Sequence, residues 1–301
     1  MEANFISTVI LPLAIVIIMI SMGMTLTIAD FRRVLSQPKP IAVGLLCQLV
    51  LLPILGFAVA FIFPLEPIFA ISIVLLAASP GGSTSNLIVH SVEADRALSV
   101  TLTAISNLVV FLTIPFLLSL AFGFFGTGSQ TGSFPVIDTM IQVAALTIVP
   151  VMIGVTIRYF APGFCERVKN GSKLFAGGFL LLIIIVLVIQ NWGQIMAEGP
   201  RFAPAFIVLN LLALGLGYWI AKLFGINQTQ STTIGIETGL QNSTLSITIA
   251  LSVLNSSAMA IVPGLYGVWM LATGFAFAFY MMRGVKEEEA PELELADPTG
   301  I

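Results

Sequence analysis

The chain has 301 residues, of which 57% are hydrophobic and only 9% are charged, and its mean hydropathy is +1.05. These fractions exclude an ordinary soluble globular domain and predict a polytopic membrane protein embedded in a lipid bilayer, with no nucleic-acid partner. The net charge of −3 says little about partners, because many of the acidic residues lie close together near the C-terminus.

Nine apolar stretches of membrane-spanning length follow one another along the chain. Runs of roughly 17 to 25 apolar residues are taken as spans, and they lie at about 5–28, 40–63, 68–91, 97–123, 134–158, 173–195, 202–224, 229–252 and 262–283. The sequence therefore predicts an all-α polytopic membrane protein. Residues 1–286 are expected to form a single transmembrane transporter unit, and residues 287–301 an acidic cytoplasmic tail.

Lysine and arginine predict the orientation, because these residues accumulate in cytoplasmic loops. If the N-terminus is outside, only Arg201 of the 12 lysines and arginines falls on the outer side. We therefore expect a multi-pass protein of the cell membrane with its N-terminus outside and its C-terminus in the cytoplasm.

The third and eighth spans are each interrupted near the centre by glycine and polar residues. The third contains Pro80-Gly81-Gly82 followed by Ser83-Thr84-Ser85-Asn86, and the eighth contains Glu237-Thr238-Gly239-Leu240-Gln241-Asn242. Proline removes a backbone donor and glycine adds flexibility, so each helix should stop near mid-depth and restart. The two spans run in opposite directions, which predicts an inverted repeat, with repeat one at about 5–123 and repeat two at about 134–283. Spans one to four pair with six to nine, and spans two and seven carry Gln48 and Asn210 at similar places.

Glu237 is the carboxylate in the middle of the eighth span. A carboxylate at the bilayer centre costs at least about 2.5 kcal/mol, so it must face protein or water, and it usually marks an ion, proton or substrate path. A sodium ion without its water needs about five or six oxygen ligands, preferably with one negative charge. One set of suitable side chains is Ser85, Asn86, Ser99, Thr103 and Glu237; a second is Gln48, Glu237 and Gln241 with the carbonyls of Thr238 and Leu240.

Two other readings of Glu237 stay open at this point. A proton-coupled carrier or a cation antiporter would use Glu237 as its proton site, although a proton needs no cage of neutral oxygens. A membrane receptor or intramembrane enzyme is less favoured, because the one histidine, His90, is far in depth from Glu237 and no second intramembrane acid accompanies it. We therefore do not expect an enzyme.

Several motifs together resemble the bile acid:sodium symporter family. They are Pro80-Gly81-Gly82-Ser83-Thr84-Ser85-Asn86, Ala97-Leu98-Ser99-Val100 with Thr103, Glu237-Thr238-Gly239-Leu240-Gln241-Asn242-Ser243, and Val262-Pro263-Gly264 with Trp269. The resemblance implies a core domain and a panel domain, with two discontinuous helices that cross in the core. It also implies symport of a small organic anion, such as a bile acid or a pantoate-like carboxylate, with two sodium ions.

The resemblance also assigns residues to each ligand. It implies that the two sets above are the two sodium sites and that the organic anion binds beside Ser83, Thr84 and Asn242. One departure concerns the substrate: Met270 follows Trp269 where some bacterial members have histidine. Neither the identity of the anion nor the oligomeric state follows from the sequence.

The predicted orientation can be tested with reporter fusions. A green fluorescent protein fused to the C-terminus is expected to fluoresce, because the positive-inside rule places that end in the cytoplasm. Alkaline phosphatase at the same position should be inactive, and an active phosphatase there would contradict the nine-span prediction.

Overall fold

The computed structural model describes residues 11–27, 36–126 and 134–289, and every regular element within these ranges is helical. The helices are, in chain order, α1 (Leu11–Gly23), α2 (Pro38–Ile62), α3 (Pro67–Ala77), α4 (Ser83–Ser91), α5 (Arg96–Phe125), α6 (Val136–Phe160), α7 (Pro162–Gln190), α8 (Trp192–Leu223), α9 (Gln228–Gly239), α10 (Ser243–Thr248) and α11 (Ser257–Glu289). The predicted all-α class is confirmed. The predicted acidic tail lies outside the described residues from position 290 onward.

Among the described residues, five helices are long and apolar enough to cross a bilayer: α2, α5, α6, α8 and residues Ser257–Arg283 of α11. Their length and composition support a multi-pass membrane protein. The count of nine spans, the inverted repeat and the division into core and panel domains stay predictions.

The connections around α7 are shorter than the sequence suggested. Only Ala161 separates α6 from α7, and only Asn191 separates α7 from α8. Arg201 was expected in an outer loop but lies within α8, where it forms an ion pair with Glu198 at 2.9 Å. A helix of 32 residues is about 48 Å long, whereas the hydrocarbon core of a bilayer is about 30 Å thick. The part of α8 that carries Arg201 can therefore lie in the polar interface and still be helical.

Both predicted interruptions are present, and they touch each other. The first break separates α3 from α4 over residues 78–82, and the second separates α9 from α10 over residues 240–242. The Asn242 backbone N–H donates a hydrogen bond to the Ser79 carbonyl oxygen at 2.9 Å. A polar segment that leaves the helical conformation inside a membrane must satisfy its backbone within the protein, and this bond is one way in which it does so.

The half-helix α3 is enclosed by protein. Every residue from Phe69 to Ala77 is buried, and this part of the main hydrophobic core also includes side chains of α8 and α11. The residues of the first break, 78–82, are buried as well. The first break therefore lies in the interior of the bundle and not against lipid.

Helices α1 and α6 approach each other through two glycines. An added Cβ on Gly154 would lie 2.1 Å from the Ile20 carbonyl oxygen, and one on Gly23 would lie 2.2 Å from the Val151 carbonyl oxygen. Small residues at such contacts let two backbones pack closely inside a membrane. No larger side chain fits either position without moving a helix.

We therefore expect Gly154→Ala to lower stability by about 1–3 kcal/mol, the usual effect of overpacking, because the new methyl group meets backbone rather than a flexible side chain. Thermal unfolding of the purified protein in detergent would measure the change. Gly178→Ala on α7 is the matched control, since an added Cβ there meets nothing within 4 Å. Equal unfolding midpoints for the two variants would contradict the close approach of α1 and α6.

Candidate ion-binding site

The Glu237 side chain is fully buried in the last turn of α9, and side chains from two other helices donate hydrogen bonds to it. The Ser99 hydroxyl of α5 lies 2.5 Å from Oε1, and the Thr103 hydroxyl lies 2.9 Å from Oε2. The Gln48 amide of α2 donates to Oε2 at 3.2 Å. Ser99 and Thr103 reach the same carboxylate because residues four apart lie on one face of a helix.

Asn86, in the second turn of α4, joins the first break to α5. Its Oδ1 lies 2.6 Å from the Ser99 hydroxyl, and its Nδ2 donates to the Thr103 hydroxyl at 3.3 Å. The same Nδ2 lies 3.3 Å from the Gly82 carbonyl oxygen. Asn86 thus contacts both hydroxyls that bind Glu237, and its oxygen is available beside them.

Gly81 allows the first break to approach the carboxylate. An added Cβ at this position would lie 2.7 Å from Glu237 Oε2 and 3.2 Å from the Ser85 hydroxyl oxygen. The Ser85 hydroxyl itself donates to the Gly82 carbonyl oxygen at 2.8 Å. All five residues of the first predicted set are therefore gathered around one point, where Gly81 leaves the necessary space.

Four residues of the second predicted set form two contacting pairs, Gln48 with Glu237 and Gln241 with Thr238. Gln48 Nε2 donates to the backbone oxygen of Glu237 at 3.1 Å, and its buried Oε1 has no hydrogen-bond partner among the described residues. Gln241 Nε2 donates to the Thr238 carbonyl oxygen at 2.7 Å. Leu240, the remaining member, is fully buried at the second break.

The π-helical turn Cys47–Leu51 of α2 positions Gln48. A π-turn adds one residue to a turn, changes which side chains face the neighbouring helix, and often occurs at functional sites. The turn is followed by Pro53 in the first turn of the next helical segment, where proline lacks the N–H that would otherwise close an α-helical bond. The amide of Gln48 is thereby directed toward α9.

No lysine or arginine of the described ranges forms an ion pair with Glu237, and the pairs of Arg158 with Glu166 and of Arg201 with Glu198 involve other acids. Burying a carboxylate is costly unless a proton or a cation compensates its charge. The described part of the chain also contains no group of three His, Cys, Asp or Glu residues that could bind a metal ion. One carboxylate among hydroxyl and amide oxygens is a ligand set suited to a hard cation of low charge.

The residues predicted for the organic anion lie at the contact between the two breaks. Asn242 is 6% exposed, and its Oδ1 accepts a hydrogen bond from the Leu245 backbone N–H at 3.1 Å, which caps α10. An added Cβ on Gly82 would lie 3.2 Å from Asn242 Cγ. Thr84 is half-buried in the first turn of α4, and the Ser83 side chain lies outside what the structure describes.

Three buried polar residues at the breaks were not predicted as site residues. Asn107 Nδ2 lies 3.4 Å from the Gly81 carbonyl oxygen, and Asn210 Nδ2 donates to the Gly239 carbonyl oxygen at 2.8 Å. The Tyr266 hydroxyl lies 2.5 Å from the same Gly239 oxygen and also contacts Gln241 Oε1. Asn210 could have been predicted as a site residue, because it lies at a similar place in span seven to that of Gln48 in span two. Nothing in the sequence around Tyr266 distinguishes it from a tyrosine at the membrane interface.

The fold and the site together define a helical membrane protein with a buried, oxygen-lined acidic centre at two interrupted helices. A family profile described as Sodium Bile acid symporter family matches residues 12–198. The chain belongs to this family of sodium-coupled cotransporters, as the motif resemblance implied.

Several relatives are similar over most of the chain. A probable sodium/metabolite cotransporter of rice chloroplasts, BASS2, is 29% identical over 92% of this chain and 65% of its own length. The human ileal sodium/bile acid cotransporter is 28% identical over 97% of this chain and 87% of its own length. YocS of Bacillus subtilis, named an uncharacterized sodium-dependent transporter, is 27% identical over 91% of this chain and 83% of its own length. The chain spans 56–65% of the length of the chloroplast relatives that it matches.

The hydrogen bonds to Glu237 can be tested by their effect on stability. Ser99→Ala should lower the free energy of unfolding by about 1–3 kcal/mol, because it removes a donor from a buried carboxylate. Thermal unfolding in a sodium-free potassium buffer would measure the change. Ser91→Ala is the control, since that exposed hydroxyl bonds only to the Leu87 carbonyl oxygen of its own helix. Equal midpoints for both variants would contradict the arrangement around Glu237.

Proposed function

We propose that the chain is a sodium-coupled symporter of a small organic anion that works by alternating access. The single observation that carries this proposal is the fully buried Glu237 carboxylate, surrounded by hydroxyl and amide groups and without a cationic partner in the described ranges. A sodium ion would supply the missing charge, and the hydroxyls of Ser99 and Thr103 can turn their lone pairs toward it. The family and the names of the relatives support sodium as the coupled ion.

We further propose two sodium ions that share Glu237. The first would bind Ser85, Asn86, Ser99, Thr103 and Glu237. The second would bind Gln48, Glu237, Gln241 and the carbonyl oxygens of Thr238 and Leu240. The unpartnered Gln48 Oε1 supports the second site, because a buried acceptor without a donor is unfavourable unless something binds it.

The substrate would bind where the two breaks touch, beside Ser83, Thr84 and Asn242. The short helices α4 and α10 both begin at this contact, after Gly82 and Asn242 respectively. Helix N-termini carry a partial positive charge, which favours an anion. The rice relative is named a sodium/metabolite cotransporter and the human one a sodium/bile acid cotransporter, so a bile acid or a smaller pantoate-like carboxylate is the substrate class we propose.

In the proposed transport cycle, the anion site and the ion sites lie together at the crossing helices and change their access together. Nine spans would form a core domain, which includes both breaks, and a panel domain, and rocking of one against the other would expose the site to each side in turn. Coupling requires that sodium and the anion each bind more tightly when the other is present. We place the protein in the cell membrane with the N-terminus outside and the C-terminus in the cytoplasm.

The alternative is proton coupling through Glu237, as in a proton-coupled carrier or a cation antiporter. The Gln48 amide and the Thr103 hydroxyl donate to Oε2, which suits the ionised carboxylate. The single proton of the Ser99 hydroxyl lies within reach of both Oε1 and Asn86 Oδ1. The neutral oxygens around Glu237 favour a bound cation, because a proton needs no such cage.

The proposed coupling predicts selective stabilisation by sodium. The unfolding midpoint of the purified protein should rise when sodium replaces potassium at constant ionic strength, and a transported carboxylate should raise it further. A ligand that binds only the folded state stabilises it by about 2.7 kcal/mol at one hundred times its Kd. Glu237→Gln should abolish the response to sodium, because the amide supplies no negative charge.

Glu198→Gln on α8 is the matched control for this experiment, since Glu198 forms its ion pair with Arg201 away from the breaks. It should respond to sodium as the unaltered protein does. Equal stabilisation by sodium and potassium, with midpoints that follow pH instead, would support the proton-coupled alternative and contradict the symporter.

A further inference from the structure

Tyr266 of α11 and Asn210 of α8 form a fully buried polar pair at the second break. Asn210 Nδ2 lies 3.1 Å from the Tyr266 hydroxyl and 2.8 Å from the Gly239 carbonyl oxygen. The Tyr266 hydroxyl lies 2.5 Å from the same carbonyl oxygen. The last carbonyl of α9, which has no helical partner beyond it, is thus held by side chains from two other helices.

The Tyr266 hydroxyl has one proton and two acceptors within reach. One acceptor is the Gly239 carbonyl oxygen, and the other is Oε1 of Gln241. A hydroxyl donates a single hydrogen bond at a time, while it accepts another from the Asn210 amide. If the proton points to Gln241, the Gly239 oxygen still receives the bond from Asn210. The hydroxyl can therefore change acceptor without leaving Gly239 unsatisfied.

Gln241 is held at both ends of its amide group. Its Nε2 donates to the Thr238 carbonyl oxygen at 2.7 Å, and its Oε1 contacts the Tyr266 hydroxyl. These two contacts fix which way Oε1 points. Without the contact to Tyr266, the hydrogen bond from Nε2 would leave the oxygen free to rotate about the bond to Thr238.

We propose that Tyr266, supported by Asn210, is a positioning residue for the second sodium site. Tyr266 orients Oε1 of Gln241 toward the ion, and Asn210 keeps the Gly239 carbonyl bonded when the hydroxyl donates to Gln241. The inference rests on the proposed sodium coupling, because it concerns a ligand of that site. Since Tyr266 and Asn210 belong to α11 and α8, binding of the second ion is linked to both of these helices.

The test is a sodium titration of the purified full chain, with potassium as the balancing ion and the unfolding midpoint as the readout. Tyr266→Phe should raise the half-saturating sodium concentration about two- to tenfold, which is the equivalent of one neutral hydrogen bond. Tyr218→Phe is the matched control: the Tyr218 hydroxyl also donates to a glutamine, Gln228 Oε1, at 2.8 Å, but at the first turn of α9. It should leave the half-saturating concentration unchanged, whatever it does to the midpoint without sodium.

A second comparison asks whether Tyr266 acts through Gln241. In a Gln241→Ala background, Tyr266→Phe should cause no further change in the half-saturating concentration, because the oxygen that it orients is gone. The same fold-change in both backgrounds would overturn the proposal. Asn210→Ala should shift the sodium dependence in the same direction as Tyr266→Phe, and it provides the test if Tyr266→Phe does not fold.

The outcomes separate this inference from the function on which it rests. In one outcome the unaltered protein responds to sodium, and the variants Tyr266→Phe and Asn210→Ala have the same half-saturating sodium concentration as the unaltered protein. The positioning role is then wrong, and the symporter proposal stands. If the unaltered protein shows no selective response to sodium, both proposals are overturned.

Discussion

A single buried carboxylate, that of Glu237, accounts for much of the arrangement of the helices around it. Removing a carboxylate from water lowers the free energy of unfolding by roughly several kcal/mol, so the groups that bind it must be present and correctly placed. Ser99 and Thr103 come from α5 and Gln48 from α2, and each bonds directly to the side chain. The last turn of α9 can therefore occupy the interior only when α2 and α5 lie against it.

The two breaks extend the same constraint to the backbone. A helix that stops inside a membrane leaves carbonyl oxygens and N–H groups that lipid cannot bind. At the first break the Gly81 carbonyl oxygen lies near the Asn107 amide, and at the second the Gly239 oxygen is bound by Asn210 and Tyr266. In both cases a neighbouring long helix supplies the partner. Side chains thus help to hold the irregular main chain of both breaks in place.

The residues that disrupt an apolar pattern were the easiest to predict from the sequence. Glu237 and Pro80 each interrupt a stretch that otherwise has the composition of a membrane span, and both breaks lie where the sequence placed them. Ser99 and Thr103 follow from the helical period of α5. Tyr266 could not be found in this way, because its role depends on a contact between distant helices, whereas its local sequence is compatible with an interfacial tyrosine. The start of α7 was missed because proline at a first helical turn and a polar helix end resemble a loop.

Charge balance offers a reason why such a site would couple an anion to sodium. In the proposed arrangement, two sodium ions around one carboxylate leave a net charge of plus one in a region that water reaches poorly. Two helix N-termini at the contact between the breaks add further positive potential. A monovalent organic anion beside Asn242 would bring the total charge to zero, which favours its binding only after both ions have bound. The neutral oxygens of Ser99, Thr103 and Gln48 hold an ion less strongly than further carboxylates would, so release on the other side of the membrane stays possible.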